Sequence, residues 1–156
     1  MRAGRKSEIS DTLPDDCDLR IREIAAYWLS LCDADRLPDR SEIDPVQIAH
    51  HLPGIGLIDV VREPWRFRFR LLGEELVILH GVNLTGQWLD EAFPHFEETK
   101  TRFDMIETAD ISQPVYYKGK PYMTYEKSFI EIERVMLPFR NGGDDADLIL
   151  IYSILR

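Results

Sequence analysis

The chain has little of what a disulfide framework, a metal site or a membrane anchor requires. Its 156 residues contain only two cysteines, Cys17 and Cys32, and neither belongs to a pair with metal-ligand spacing. We therefore expect reduced thiols in a cytoplasmic protein and no metal site. No apolar run approaches the roughly 20 residues that cross a bilayer. The N-terminus also lacks the apolar segment of a secretion signal.

Positive charge is in deficit as well, because 28 acidic residues outnumber 19 basic ones and the net charge is −9. Such a surface opposes non-specific binding to a phosphate backbone, so we expect no nucleic-acid partner. The sequence has no nucleophile elbow and no phosphate-binding loop, which argues against an enzyme. A hydrophobic content of 44% suits one compact domain. We place that domain at residues 17–156, after a polar and disordered tail at residues 1–16.

The clearest structural signal is a strict alternation after Glu63-Pro64. Phe67 and Phe69 fall on one face of the segment, and the three arginines at positions 66, 68 and 70 fall on the other. A period of two is typical of a half-buried strand. The preceding segment, Ile55 to Val61, is β-branched and apolar, so the two segments predict an antiparallel hairpin.

The pairing register of this hairpin follows from which side chains lie opposite each other on the two strands. A four-residue loop from Arg62 to Trp65 is favoured over a two-residue turn, because Pro64 cannot take positive φ. With that loop, apolar residues meet apolar residues and a carboxylate meets a guanidinium. The predicted pairs are Val60 with Phe67, Ile58 with Phe69, and Asp59 with Arg68.

The rest of the chain predicts helices before and after the hairpin and strands at the end. Apolar residues at spacings of three and four, including Ile21, Ile24 and Trp28, indicate a helix from Asp18 to about Asp33. Its stripe covers either the protein's own sheet or a second protomer. Short helices are predicted after Asp44 and from Glu74 to Leu79. A longer helix with a buried stripe of Phe96, Phe103 and Ile106 is predicted from His95 to Ala109. Three strands follow, starting at Pro114, including Val135 to Phe139, and ending with a central strand at Leu148 to Leu155.

Two strands, a helical excursion and three further strands resemble a PAS domain, and more narrowly a family of small PAS-like proteins common in alphaproteobacteria. The resemblance extends over about residues 20–155. Its pieces are Tyr27-Trp28, Leu37 to Pro45, Phe67 to Gly73, Gly81 to Gly86 and Leu137 to Phe139. It implies an α+β fold with a five-stranded antiparallel sheet of order 2-1-5-4-3. The middle helices would lie across one face of that sheet, and an extra helix would precede it.

The same resemblance implies a sensory domain that binds a small molecule or a partner and dimerises. No cysteine lies between Gly81 and Leu89, which argues against a flavin photosensor. His80 and His95 are the candidates for haem ligation. Each stands alone at a helix edge, so an ordinary surface or capping role is favoured and the cofactor stays unknown.

A small, largely apolar ligand would need a pocket between sheet and helices, and several aromatic residues could wall it. Most such residues are plain core in proteins, but some carry a donor that could orient a ligand. We predict that the ligand contacts are Trp88, Phe103, Tyr117 and Tyr125.

Two alternatives stay open beside a ligand-binding sensor. In the first, the domain is a pure interaction module that uses the helix beginning at Asp18 and the arginine face of the hairpin to recruit a separate signalling protein or a second copy. In the second, it is an enzyme of the ketosteroid-isomerase type with Asp59 as a base. A cross-strand salt bridge to Arg68 is the favoured role for Asp59.

Overall fold

Five antiparallel strands form one sheet in the order β2-β1-β5-β4-β3. The computed structural model describes residues 13–121 and 130–155. The strands are β1 (Ile55–Val61), β2 (Arg66–Leu72), β3 (Val115–Gly119), β4 (Ile132–Arg140) and β5 (Ala146–Leu155). The predicted strand order is confirmed, and so is the central position of the last and most apolar strand.

The hairpin has the predicted register. Asp59 pairs with Arg68, Ile58 with Phe69 and Val60 with Phe67, and the loop spans residues 62–65. The register shifts between Leu57 and Ile58, which leaves Arg70 as the extra residue of a β-bulge. The observed register agrees with the predicted one because burial fixes it. A slip of one residue would move both phenylalanines to the opposite face of the sheet.

The N-terminal helix α1 (Leu19–Leu31) covers one face of the sheet, which we call the outer face. Asp18 caps it, since its side chain accepts from the backbone N–H of Arg20 at 2.9 Å. Ile21, Ile24 and Trp28 are fully buried among outer-face residues of β4 and β5. The predicted stripe therefore packs on the protein's own sheet.

The opposite face, the inner face, is covered by the helices of the middle segment. They are α2 (Glu74–His80), α3 (Leu89–Ala92) and α4 (Lys100–Ile111). Their core partners on the sheet include Ile58, Phe67 and Phe69, together with Met136 and Ile149. The aromatic face of the hairpin thus points under these helices, as predicted.

Helix α4 begins later than the sequence pattern indicates, and its buried face differs. Thr99 caps it by accepting from the backbone N–H of Arg102, while Phe96 lies in a separate 3-10 helix at Phe96–Glu98. Because Phe96 is outside α4, it does not set the phase of the stripe. The buried face includes Thr101, Asp104, Met105, Thr108 and Ala109. Phe103 is 56% exposed, so its predicted burial is wrong.

The short helix predicted after Asp44 is also different. Asp44 accepts from the backbone N–H of Val46 at 3.0 Å, as a cap would. The segment nevertheless forms turns and then a 3-10 helix at Ala49–Gly54. Val46 is 83% exposed and Ile48 is buried, so the segment lacks the continuous apolar stripe that stabilises a short α-helix in a protein.

The predicted N-terminal tail lies mostly outside the described residues. Residues 1–12 lie outside the described ranges, while Leu13 is 3% exposed and belongs to the core beneath α1. In the described ranges, no helix combines the length and the apolar character that crossing a membrane requires.

Candidate functional site

A cavity of about 50 Å³ lies on the inner face of the sheet, between β1, β2, β4 and β5 on one side and α2 and α4 on the other. Apolar side chains make up most of its wall, including Ile58, Phe69, Leu76, Met105 and Ile151. A cavity of this size has room for several water molecules or a small organic group. The helices of the middle segment therefore create a pocket where the fold predicts one.

The polar groups of the cavity are few and come from four different elements. They are His80 at the end of α2, Thr101 on α4, Arg134 on β4 and Ser153 on β5. Arg134 and Ser153 are directly paired across β4 and β5, so both side chains point to the same face. A mostly apolar pocket with a small number of convergent polar groups is typical of a small-molecule site.

Arg134 is held by a buried ion pair. Its Nη2 donates to Asp104 Oδ2 at 3.0 Å, and both side chains are 2% exposed. Asp104 also accepts from Lys100 Nζ at 2.6 Å, one turn earlier on α4. Burial lowers the pKa of Arg134, and the charge of Asp104 opposes that shift. The guanidinium also lies over the ring of Tyr117, with 4.6 Å between its carbon Cζ and the ring centroid.

Two buried polar atoms in this region have no hydrogen-bond partner among the residues that the structure describes. They are Nη1 of Arg134 and Nδ1 of His80, and both residues line the cavity. Buried polar groups are almost always satisfied, because an unmade hydrogen bond costs about 1–3 kcal/mol. The coincidence of both atoms with one cavity marks it as the candidate site.

His80 is neutral at physiological pH, because burial lowers its pKa to about 4. Its ring packs against Phe69 and Phe93, with centroid distances of 5.8 and 5.3 Å. Helix α2 ends just after it at Gly81, which has φ of 78° in the left-handed region. His80 thus stands in the last turn of α2 and is half-buried, so it is not a fully exposed surface residue.

His80 makes stability depend on pH in a defined direction. Its pKa is about 4 in the folded state and 6.5 in the unfolded state, so the unfolded state binds more protons between these values. We expect the free energy of unfolding to fall by about 2 kcal/mol from pH 7 to pH 5 through this residue alone. Urea denaturation of wild type and His80→Phe at both pH values measures the effect, because the variant lacks the contribution of the His80 titration to the free energy of unfolding.

The matched control for that measurement is His50→Phe, since His50 is exposed. The control should show the same pH dependence as wild type. Parallel losses of stability in wild type and His80→Phe would contradict the assignment.

The four residues predicted to contact a ligand are placed differently from one another. Trp88 lies at the edge of β2, where the guanidinium of Arg66 stands 4.1 Å from its ring centroid. Phe103 is exposed on α4, and neither it nor Trp88 is among the cavity-lining residues. Tyr117 lies beneath Arg134 and donates to the carbonyl of Lys120 at 3.0 Å. Tyr125 lies outside the described residues. Of the three residues that the structure describes, only Tyr117 lies against a cavity residue, and ligand contact by the set stays a prediction.

The arginine face of the hairpin is paired with carboxylates of the same chain. Asp59 accepts from Arg68 at 3.0 Å and from Arg70 at 3.1 Å. Arg66 pairs with Asp90 at 2.8 Å and Glu91 at 2.9 Å, which lowers the pKa of Asp90. The predicted cross-strand pair of Asp59 with Arg68 is confirmed. Since Asp59 alternates with inner-facing Ile58 and Val60, it lies on the outer face and away from the cavity.

Sequence reasoning missed Arg134 and Asp104, although one signal was available. Arg134 occupies the same phase of β4 as Ile132 and Met136, both of which are buried. A charged residue in the apolar phase of a strand needs a partner, and its partner here is 30 positions away. The pattern could have flagged Arg134, but not which carboxylate it meets.

Metal chemistry has no candidate in this part of the molecule. Over residues 13–121 and 130–155, no group of three His, Cys, Asp or Glu residues is placed to hold a metal ion. Cys17 and Cys32 are both buried, and no disulfide joins them.

Comparison with known proteins agrees with the architecture. A family model described as a PAS domain matches residues 19–152. Searches of curated proteins and of solved structures found no match. The family match covers most of the chain, and the sheet order, the helical excursion and the cavity between them all fit it. The chain therefore belongs to the PAS domain family, whose members are in general sensory and signalling domains.

Proposed function

We propose that this PAS domain is a sensor that binds a small, largely apolar molecule in the cavity between the sheet and helices α2 and α4. The observation that supports the proposal is the composition of the cavity wall, in which Ile58, Leu76 and Met105 surround a few polar atoms. Burial of an apolar ligand there would contribute roughly 25 cal/mol per Å² of apolar surface. Binding would also stabilise the folded state by mass action.

Two features make a ligand a better explanation than a pure interaction module. The arginines of the hairpin already have partners in Asp59, Asp90 and Glu91. The apolar stripe of α1 is already buried against β4 and β5. Neither surface is available in the form that recruitment of an acidic partner or a second protomer would require. The isomerase alternative gains no support, because Asp59 is bound to two guanidinium groups outside the cavity.

The output of the sensor would pass through dimerisation or a separate signalling protein. The surface we favour for this contact is the apolar pair Val61 and Leu71, which lies beside the paired arginines of the hairpin. Val61 and Leu71 are 42% and 46% exposed, and the partner of Leu71 across the hairpin, Leu57, packs at the rim of the core beneath α1. Analytical ultracentrifugation of wild type and Leu71→Glu tests this part. A dimer that persists unchanged in the variant would contradict it.

The cavity itself can be tested by filling it. The cavity is partly open to solvent, so a ring larger than its enclosed volume can enter it in part. We expect toluene to shift the backbone amide signals of Ile58 and Ile151 in an NMR titration, because both residues line the cavity. Ser153 also lines the cavity and is 4% exposed. Ser153→Leu should therefore weaken toluene binding by roughly tenfold or more, since the added side chain occupies the space.

The control makes the same chemical change elsewhere. Ser30→Leu lies on the exposed side of α1 and should leave toluene binding unchanged. Shifts confined to α1, or equal affinities for wild type and Ser153→Leu, would overturn the cavity as the binding site.

A further inference from the structure

The ion-paired cluster of Lys100, Asp104 and Arg134 has an excess of positive charge, and its member Arg134 lines the cavity. Lys100 and Arg134 share a single carboxylate, that of Asp104. No other ion pair of either cation occurs within the described ranges. The side chain of Lys100 is 50% exposed, whereas that of Arg134 is 2% exposed. The three side chains together carry one positive charge in excess, and Arg134 is the cation among them that lines the cavity.

One buried hydrogen-bond donor of Arg134, the nitrogen Nη1, has no partner among the described residues. Nη2 is occupied by Asp104, while Nη1 has no partner in the described part of the chain. A guanidinium is planar and permanently charged, so the hydrogen bond from its remaining donor is strongest to an ionised acceptor such as a carboxylate. The stacking on Tyr117 at 4.6 Å and the ion pair with Asp104 fix the orientation of the guanidinium plane. The site is thus prepared for an acceptor, and an anionic acceptor would balance its charge.

Resting on the function proposed above, we infer that the ligand is a small monocarboxylic acid, bound as its carboxylate. One carboxylate oxygen accepts from Nη1 of Arg134, and the apolar remainder of the molecule lies against Phe69, Leu76 and Ile151. His80 supplies a second polar contact from the other side of the cavity, because its Nδ1 also has no partner in residues 13–121 and 130–155. A dicarboxylate would carry one charge more than the excess on Lys100, Asp104 and Arg134 balances.

Benzoate and benzamide are matched probes for this inference. They have nearly the same shape and differ in the charge of the polar group. We expect wild type to bind benzoate roughly 10- to 100-fold more tightly than benzamide in an NMR titration, because the charged acceptor makes the stronger hydrogen bond. In Arg134→Met this preference should disappear. Asp104 keeps Lys100 as a partner in that variant, which limits the damage to the fold.

A second measurement uses the unmodified protein. Benzoate should shift the side-chain NMR signals of Arg134, with benzamide as the comparison. Equal affinities of wild type for the two probes would overturn the inference, since Nη1 would then be satisfied by solvent. A preference for benzoate that persists in Arg134→Met would overturn it as well.

Toluene separates this inference from the function on which it rests. If toluene binds and benzoate has no advantage over benzamide, the carboxylate inference fails and the apolar cavity stands. If none of the three probes binds, both fail.

Discussion

Replacing Asp104 with asparagine should lower the free energy of unfolding by about 3–5 kcal/mol. Asp104 is the buried counter-charge of Arg134, at 3.0 Å, and both side chains are 2% exposed. Removing one partner of a buried ion pair leaves the other charge without compensation in a medium that solvates it poorly. Asparagine keeps the shape of the side chain, so the loss measures charge rather than volume. Urea denaturation at pH 7 gives the free energy directly.

Asp110→Asn is the matched control, because Asp110 lies on the same helix and is exposed. We expect its effect to stay within about 0.5 kcal/mol. The double variant Asp104→Leu, Arg134→Met should be more stable than Asp104→Leu alone, since it removes both charges together. A loss below about 1 kcal/mol for Asp104→Asn would show that Arg134 is solvated, and the charge argument for the cavity would then lose its basis.

The hairpin and the burial of the last strand could be predicted from the sequence because each depends on local pattern, whereas the sheet order was implied by the resemblance to PAS domains. Phe67 and Phe69 alternate with three arginines, and one residue of slip would expose both rings. Leu148 to Leu155 is apolar in both phases, which fits a strand covered on both faces. These signals act over a few residues, so tertiary context rarely overrides them.

The candidate site could not be predicted in the same way, because it depends on contacts between distant segments. Asp104 and Arg134 meet across 30 residues, and His80 reaches the cavity because α2 ends where it does. Aromatic character alone was a poor guide. Trp88 stacks against the guanidinium of Arg66 at the sheet edge, and Phe103 faces outward because α4 begins at Lys100. The phase of a short helix decides which residues point inward, and it was set here by a cap at Thr99.

Truncating Trp28 to alanine should also cost about 3–5 kcal/mol of unfolding free energy. Trp28 is the largest side chain that is fully buried in the described structure, and its Nε1 donates to the carbonyl of Pro138 on β4 at 2.7 Å. The substitution leaves a cavity between α1 and the sheet and an unsatisfied carbonyl beneath it. Trp28→Phe should cost less, about 1–3 kcal/mol, because it keeps most of the ring volume and loses the hydrogen bond.

Leu19→Ala provides the control, because Leu19 begins the same helix and is 68% exposed. Its effect should stay within about 0.5 kcal/mol. The slope of the urea transition shows whether α1 unfolds together with the sheet or separately, because that slope scales with the surface exposed on unfolding. An unchanged slope in Trp28→Ala places α1 in the cooperative unit of the sheet. A smaller slope, or a second transition, would mean that α1 detaches first and is a separable helix. In that case, its apolar stripe would again be available to a partner.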